Sequence, residues 1–103
     1  MEQIEIKRFL LDKGIPPHVK GFEYLMLALD MCQKEKRYLH ELTKSLYGEI
    51  ADKYGETMTR TERAMRHALT FLPKHITIGG FLSLSLVEME EVVFNKKRRH
   101  FYD

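Results

Sequence analysis

Apolar side chains recur at three- and four-residue intervals through most of the chain, and glycine or proline stands wherever the rhythm stops. That period is helical, and its breaks mark helix boundaries. Ile4, Ile6, Phe9, Leu10 and Leu11 run up to Gly14, which predicts a short helix closed by glycine. In IPPHVKG two prolines stop that helix and pre-set the start of the next. Phe22, Leu25, Met26, Leu29, Met31 and Cys32 carry a second helix, apolar on most sides and therefore central, which fades into the polar QKEKR. Leu39, Leu42, Leu46 and Ile50, widened by Tyr47, Ala51 and Tyr54, predict a third helix with Gly48 as its weak point. In KYGETMT, Gly55 can take the positive φ that a tight helix-to-helix turn needs.

The next segment, TRTERAMRHALTFL, predicts a helix over about 58–72. At about 100° per residue, Met58, Thr61, Met65, Ala68, Leu69 and Leu72 share one arc, and Arg60, Arg63, Arg66, His67 and Thr70 share the opposite one. Thr59 stands three residues before Glu62, the spacing of a capping box; Thr57 is the alternative cap. A basic outer face is also what an ordinary solvated helix presents, and Glu62 with Arg66 has the i,i+4 spacing of a surface ion pair. The order of elements weighs against the plain reading. A helix in EIADKYG, a short turn and then the basic helix is the helix-turn-helix arrangement, whose second helix enters the major groove.

Beyond Leu72, ITIGGFLSLS combines β-branched residues, a Gly-Gly pair and period-two alternation, which locally predicts a small β-hairpin at about 75–85. Placed there, a hairpin would be a wing. Ser85 and Glu88 have capping-box spacing, and Leu86, Met89, Val92 and Val93 form the stripe of a last amphipathic helix leading into KKRRH. The expected fold class is therefore all-α, a mostly helical bundle with a helix-turn-helix, the hairpin being the one exception allowed. A chain of 103 residues suffices for one domain with its own core, so residues 1–103 are expected to form a single unit.

Charge narrows the partner. The net charge is only +2, but residues 1–58 hold nine Lys/Arg against ten Asp/Glu, and residues 59–103 hold eight against five. The positive half begins with the basic helix, which favours a polyanion. The lone Cys32 sits in the apolar run LMLALDMC and reads as a small core residue rather than a nucleophile. His18, His40, His67, His75 and His100 show no metal-ligand spacing, so neither a metal nor another cofactor is expected. There is no apolar run of transmembrane length and no signal segment, so a cytoplasmic protein is expected, with no membrane partner.

PPHVKGFEYL and LTKSLYGEIADKYGETMTRTERAMRHAL together carry a family resemblance. The chain resembles the C-terminal DNA-binding domain of the stage-zero sporulation response regulator. The family's G-[IV]-P-x-H-[IV]-K-G-[FY]-x-Y-L opening is matched from Gly14 to Leu25. Its I-T-K-x-L-Y-P-x-I-A-x-K-Y helix is similar to Leu42–Tyr54, and its R-x-E-R-A-I-R-H-A recognition helix to Arg60–Ala68. The resemblance implies a helix that reads a short DNA box, with two copies on tandem boxes. It places Arg60, Glu62, Arg63, Arg66 and His67 in matching positions and adds Lys20 from the opening motif. Arginine can donate twice to guanine and glutamate can accept from cytosine, while His67, Lys20 and the Thr57 and Thr59 hydroxyls suit phosphates.

The sequence departs from the family at three points. Gly48 replaces its proline, residues 75–85 differ, and no receiver domain precedes the match, so control by phosphorylation is not expected. The altered 75–85 stretch and the narrow stripe after it also lead us to expect no stable tandem dimer without DNA. Two functions compete: a sequence-specific double-stranded DNA-binding transcription regulator of the sporulation initiation type, and a protein-interaction module that keeps the fold and modulates a full-length regulator. The retained arginines favour the first. An enzyme acting on a small-molecule substrate is not expected, since no serine or cysteine has a nucleophile's context.

Overall fold

The computed structural model describes residues 2–102, with side chains described for residues 2–91. Among the described residues the chain is helices and turns with no strand. Helix α1 spans Gln3–Asp12, α2 Lys20–Lys34, α3 Tyr47–Tyr54, α4 Met58–Leu69 and α5 Ile78–Tyr102. A 3₁₀ turn, Lys36–His40, and a π turn, Leu42–Leu46, lie between α2 and α3.

Helix α2 is the hub. It buries Gly21, Phe22, Tyr24, Leu25, Ala28, Leu29 and Cys32, and it touches α1, α3, α4 and α5. A helix that is apolar on most sides is satisfied only among other helices. Ile6 and Leu10 of α1, Leu46 and Ile50 around α3, and Met65, Ala68 and Leu69 of α4 close on it. Gly14, at φ 95°, turns the chain from α1 into the proline segment. Lys13 Nζ then reaches Glu88 Oε2 of α5 at 2.5 Å, tying the end of α1 to a helix that is distant in sequence.

The expected third helix is interrupted, but not at Gly48. The break falls at Glu41, whose backbone (φ −135°, ψ 46°) is not helical. After it Leu46 N–H reaches back five residues to the Glu41 carbonyl at 3.2 Å. Leu42 thereby packs close to Gly79 in the first turn of α5, where a Cβ would stand 3.1 Å from Leu42 Cδ1.

That contact also explains why there is no hairpin at 75–85. Gly79 and Gly80 are helical, and the pair gives room for Leu42, Ile76 and Thr77 rather than a chain reversal. Thr77 starts α5 by accepting the Gly80 N–H on its hydroxyl at 3.0 Å and the Phe81 N–H on its carbonyl at 2.9 Å. Ile78, Phe81, Leu82, Ser85, Leu86 and Met89 are then buried at helical spacing. The local alternation of FLSLSL hid this longer period. Ser85 is therefore buried in mid-helix and caps nothing, and Glu88 is committed to Lys13. The apolar side of Leu86 and Met89 is used inside the molecule, whereas Val92, Val93 and the KKRRH side chains lie outside the described ones.

Candidate nucleic-acid interface

Helix α3 ends in a Schellman turn. Gly55 takes the left-handed conformation at φ 64°, the Glu56 N–H bonds the Ala51 carbonyl at 2.8 Å and the Gly55 N–H faces the Asp52 carbonyl at 3.4 Å. Two residues later α4 begins. Its cap is Thr57, whose hydroxyl oxygen accepts the Arg60 N–H at 3.1 Å. The Thr59–Glu62 capping box does not form: Thr59 is already inside the first turn and exposed, and Glu62 pairs with Arg66 instead. The helix stops at Leu69, so Thr70 to Leu72 belong to the following turn, which the Thr70 hydroxyl helps close by donating to the His67 carbonyl at 2.6 Å.

The inward side of α4 matches the expected arc with one exception. Thr61, Met65, Ala68 and Leu69 are buried, and Thr61 satisfies its hydroxyl by donating to the Thr57 carbonyl at 2.9 Å. Met58 lies at the open end of the helix and is 41% exposed. Gly21 of α2 sets how closely the two helices approach, because a Cβ there would lie 2.1 Å from the Ala64 carbonyl oxygen. Only glycine lets the start of α2 touch the backbone of α4.

This close approach divides the outer face of α4 into two ridges, roughly a quarter-turn apart. Arg60, Arg63 and His67 line a cleft of about 460 Å³ whose other wall is Val19, Lys20, Gly21 and Tyr24 at the start of α2. Arg60 and Arg63 are exposed, and Arg63 makes no ion pair among the described residues. The second ridge carries Thr59, Glu62 and Arg66, with the Arg66 guanidinium held by the Glu62 carboxylate. Beneath it the Tyr47 hydroxyl is raised in pKa, first by burial and then by Glu62, with Arg66 opposing. Of the eight residues expected to form the site, Lys20, Arg60, Arg63 and His67 share the cleft, Thr57 caps its helix, and Thr59, Glu62 and Arg66 stand on the neighbouring ridge.

Sequence reasoning overlooked three members of this region. Gly21 lay inside the matched opening motif, but its contact is long-range and has no local signature. Tyr24 is 5% exposed, packs its ring on Tyr54 with centroids 4.9 Å apart and lines the cleft. Burial raises its pKa, with Glu56 and Glu23 adding to the effect. Glu56 puts a carboxylate among the cleft's cations, with Oε1 accepting the Thr57 N–H at 3.0 Å and standing 3.7 Å from Arg60 Nη1. An acid one residue before the cap was its visible signal. Among the described residues no group of three or more His, Cys, Asp or Glu could hold a metal, and no helix is long and apolar enough to cross a membrane. A protein-family model described as Sporulation initiation factor Spo0A C terminal matches residues 6–98.

Proposed function

The chain belongs to the family of the C-terminal domain of sporulation initiation factor Spo0A, and from that premise we propose that residues 1–103 act as one helix-turn-helix domain that binds double-stranded DNA sequence-specifically and regulates transcription. The observation that carries this reading is the shared placement of Lys20, Arg60, Arg63 and His67 around one cleft beside the exposed start of α4. A helix entering the major groove end-first would bring Arg60 and Arg63 to the base edges. Lys20 and His67 would meet the flanking phosphates, as would the Thr57 hydroxyl, whose proton is free to donate while its oxygen serves the cap. Glu62 and Arg66 would approach as a pair, the carboxylate accepting from cytosine and the guanidinium reaching outward. The role is binding rather than catalysis, in the cytoplasm, with two copies meeting on tandem boxes.

Selection of bound sites from a random duplex pool tests this directly. A defined box should emerge, and Arg63→Ala should weaken it by about 1–3 kcal/mol and relax one base position. Affinity should also fall steeply with salt, with a slope near −0.9 per neutralised phosphate. Failure to enrich any sequence would refute the proposal. Leu84 and Val87, 56% and 54% exposed one turn apart on α5, support a second reading, a module that binds a full-length regulator. Capture of that regulator by a chain unable to select DNA would establish it.

A further inference from the structure

Glu56 is out of place in a cleft built for a polyanion. Its neighbours there are Lys20, Arg60, Arg63 and His67, and a carboxylate among them opposes phosphate. Its position is nevertheless fixed from both sides. The backbone N–H is held by the Schellman turn and the carboxylate by the Thr57 N–H, so the side chain, 17% exposed, is aimed rather than drifting. The same Oε1 stands 3.7 Å from Arg60 Nη1, whereas the Arg60 side chain is 73% exposed. The mobile partner is therefore the arginine.

We infer that Glu56 is a specificity-determining residue: a built-in carboxylate that holds Arg60 when no DNA is bound and repels phosphate, so that only a box offering Arg60 a better acceptor draws the guanidinium away. The inference rests on the DNA-binding reading above. Its physical logic is that of a competitor within the molecule. A non-specific duplex offers Arg60 only phosphate, and taking it leaves Glu56 unpaired beside another anion. A guanine edge offers two acceptors without a negative charge, so Glu56 costs specific binding less than non-specific binding. The carboxylate also faces the positive end of α4, which gives it a structural role of opposite sign on replacement.

Glu56→Gln separates the two roles, because glutamine keeps an acceptor for the Thr57 N–H and loses only the charge. Fluorescence anisotropy is read on a random-sequence duplex and on the selected box, over a salt series, with far-UV circular dichroism confirming the fold. Binding of the random duplex should tighten about fivefold at low salt, the gain should shrink as salt rises, and the ratio of specific to random affinity should fall. In an Arg60→Gln background the same replacement should give a clearly smaller gain. Unchanged or weaker binding by Glu56→Gln overturns the inference, as does an equal gain without Arg60. A wild-type chain that binds no duplex overturns the DNA-binding reading itself, and this inference with it.

Discussion

Replacing Gly21 by alanine tests whether a single missing side chain sets the position of α4. A Cβ at this position would lie 2.1 Å from the Ala64 carbonyl oxygen and 2.8 Å from Ala68 Cβ. Neither neighbour is the far end of a flexible side chain, so α2 and α4 must move apart by about 1 Å to reach ordinary contact. A gap of that size forfeits a quarter to a half of the dispersion attraction of the atoms it separates, and these belong to the most extensive helix pair among the described residues. Overpacking of this kind costs about 1–3 kcal/mol and occasionally more. Against it stands a gain of about 1 kcal/mol in helix propensity.

The clash should win because the obstacle is backbone. We expect a net loss of about 2 kcal/mol, a large share of the roughly 5–15 kcal/mol typical of a domain, and a fall in Tm of about 10–15 °C. Gly48 supplies the control, since a Cβ there would meet only Met58 Sδ at 3.8 Å. Gly48→Ala should therefore stabilise by about 0.5–1 kcal/mol. Urea unfolding followed by circular dichroism compares the two. Equal effects of the two replacements would show that α2 and α4 are not in backbone contact and that the cleft beside them has a different shape.

Thr57→Ala removes the acceptor of the Arg60 N–H and should cost about 1 kcal/mol, whereas Thr59→Ala should stay within about 0.5 kcal/mol; the reverse order in urea melts would return the cap to Thr59. Burial lifts the Cys32 thiol from 9.0 to about 11. Its folded pKa is thus above the unfolded value, so the stabilisation is complete below the unfolded pKa and is lost as pH rises through about 9 to 11. Wild type should lose up to roughly 2 kcal/mol over that window relative to Cys32→Ala, and parallel pH profiles of the two proteins would refute the buried thiol.

Local pattern made α1, α2 and α4 legible because the apolar residues of each recur at a helical period, on most sides of α2 and along one stripe of α4. The same logic failed wherever a residue's reason lay elsewhere in the chain. Gly79 and Gly80 look like a turn until Leu42, far away in sequence, is seen to need the space. Leu39, Leu42, Leu46 and Ile50 keep a helical period across a backbone that is not one helix, since the 3₁₀ and π turns preserve burial while changing the hydrogen bonds. Spacing alone favours Thr59, which has Glu62 three residues on, with Thr57 as the alternative. The Schellman turn decides between them, because it ends α3 at a fixed point and leaves only Glu56 between Gly55 and the cap.

The candidate site shows the same division. Which residues are cationic and outward-facing on α4 follows from their spacing, but which of them act together depends on the approach of α2. Gly21 lets that helix touch Ala64, and the start of α2 thereby adds Lys20 and Tyr24 to the ridge of Arg60, Arg63 and His67. Arg66, equally basic and only three residues from Arg63, faces away and is occupied by Glu62. A count of arginines would treat the three alike. The packing leaves Arg63 without an ion pair among the described residues, Arg60 3.7 Å from Glu56 and Arg66 paired with Glu62, and that difference, rather than total charge, is what a duplex entering the cleft would meet.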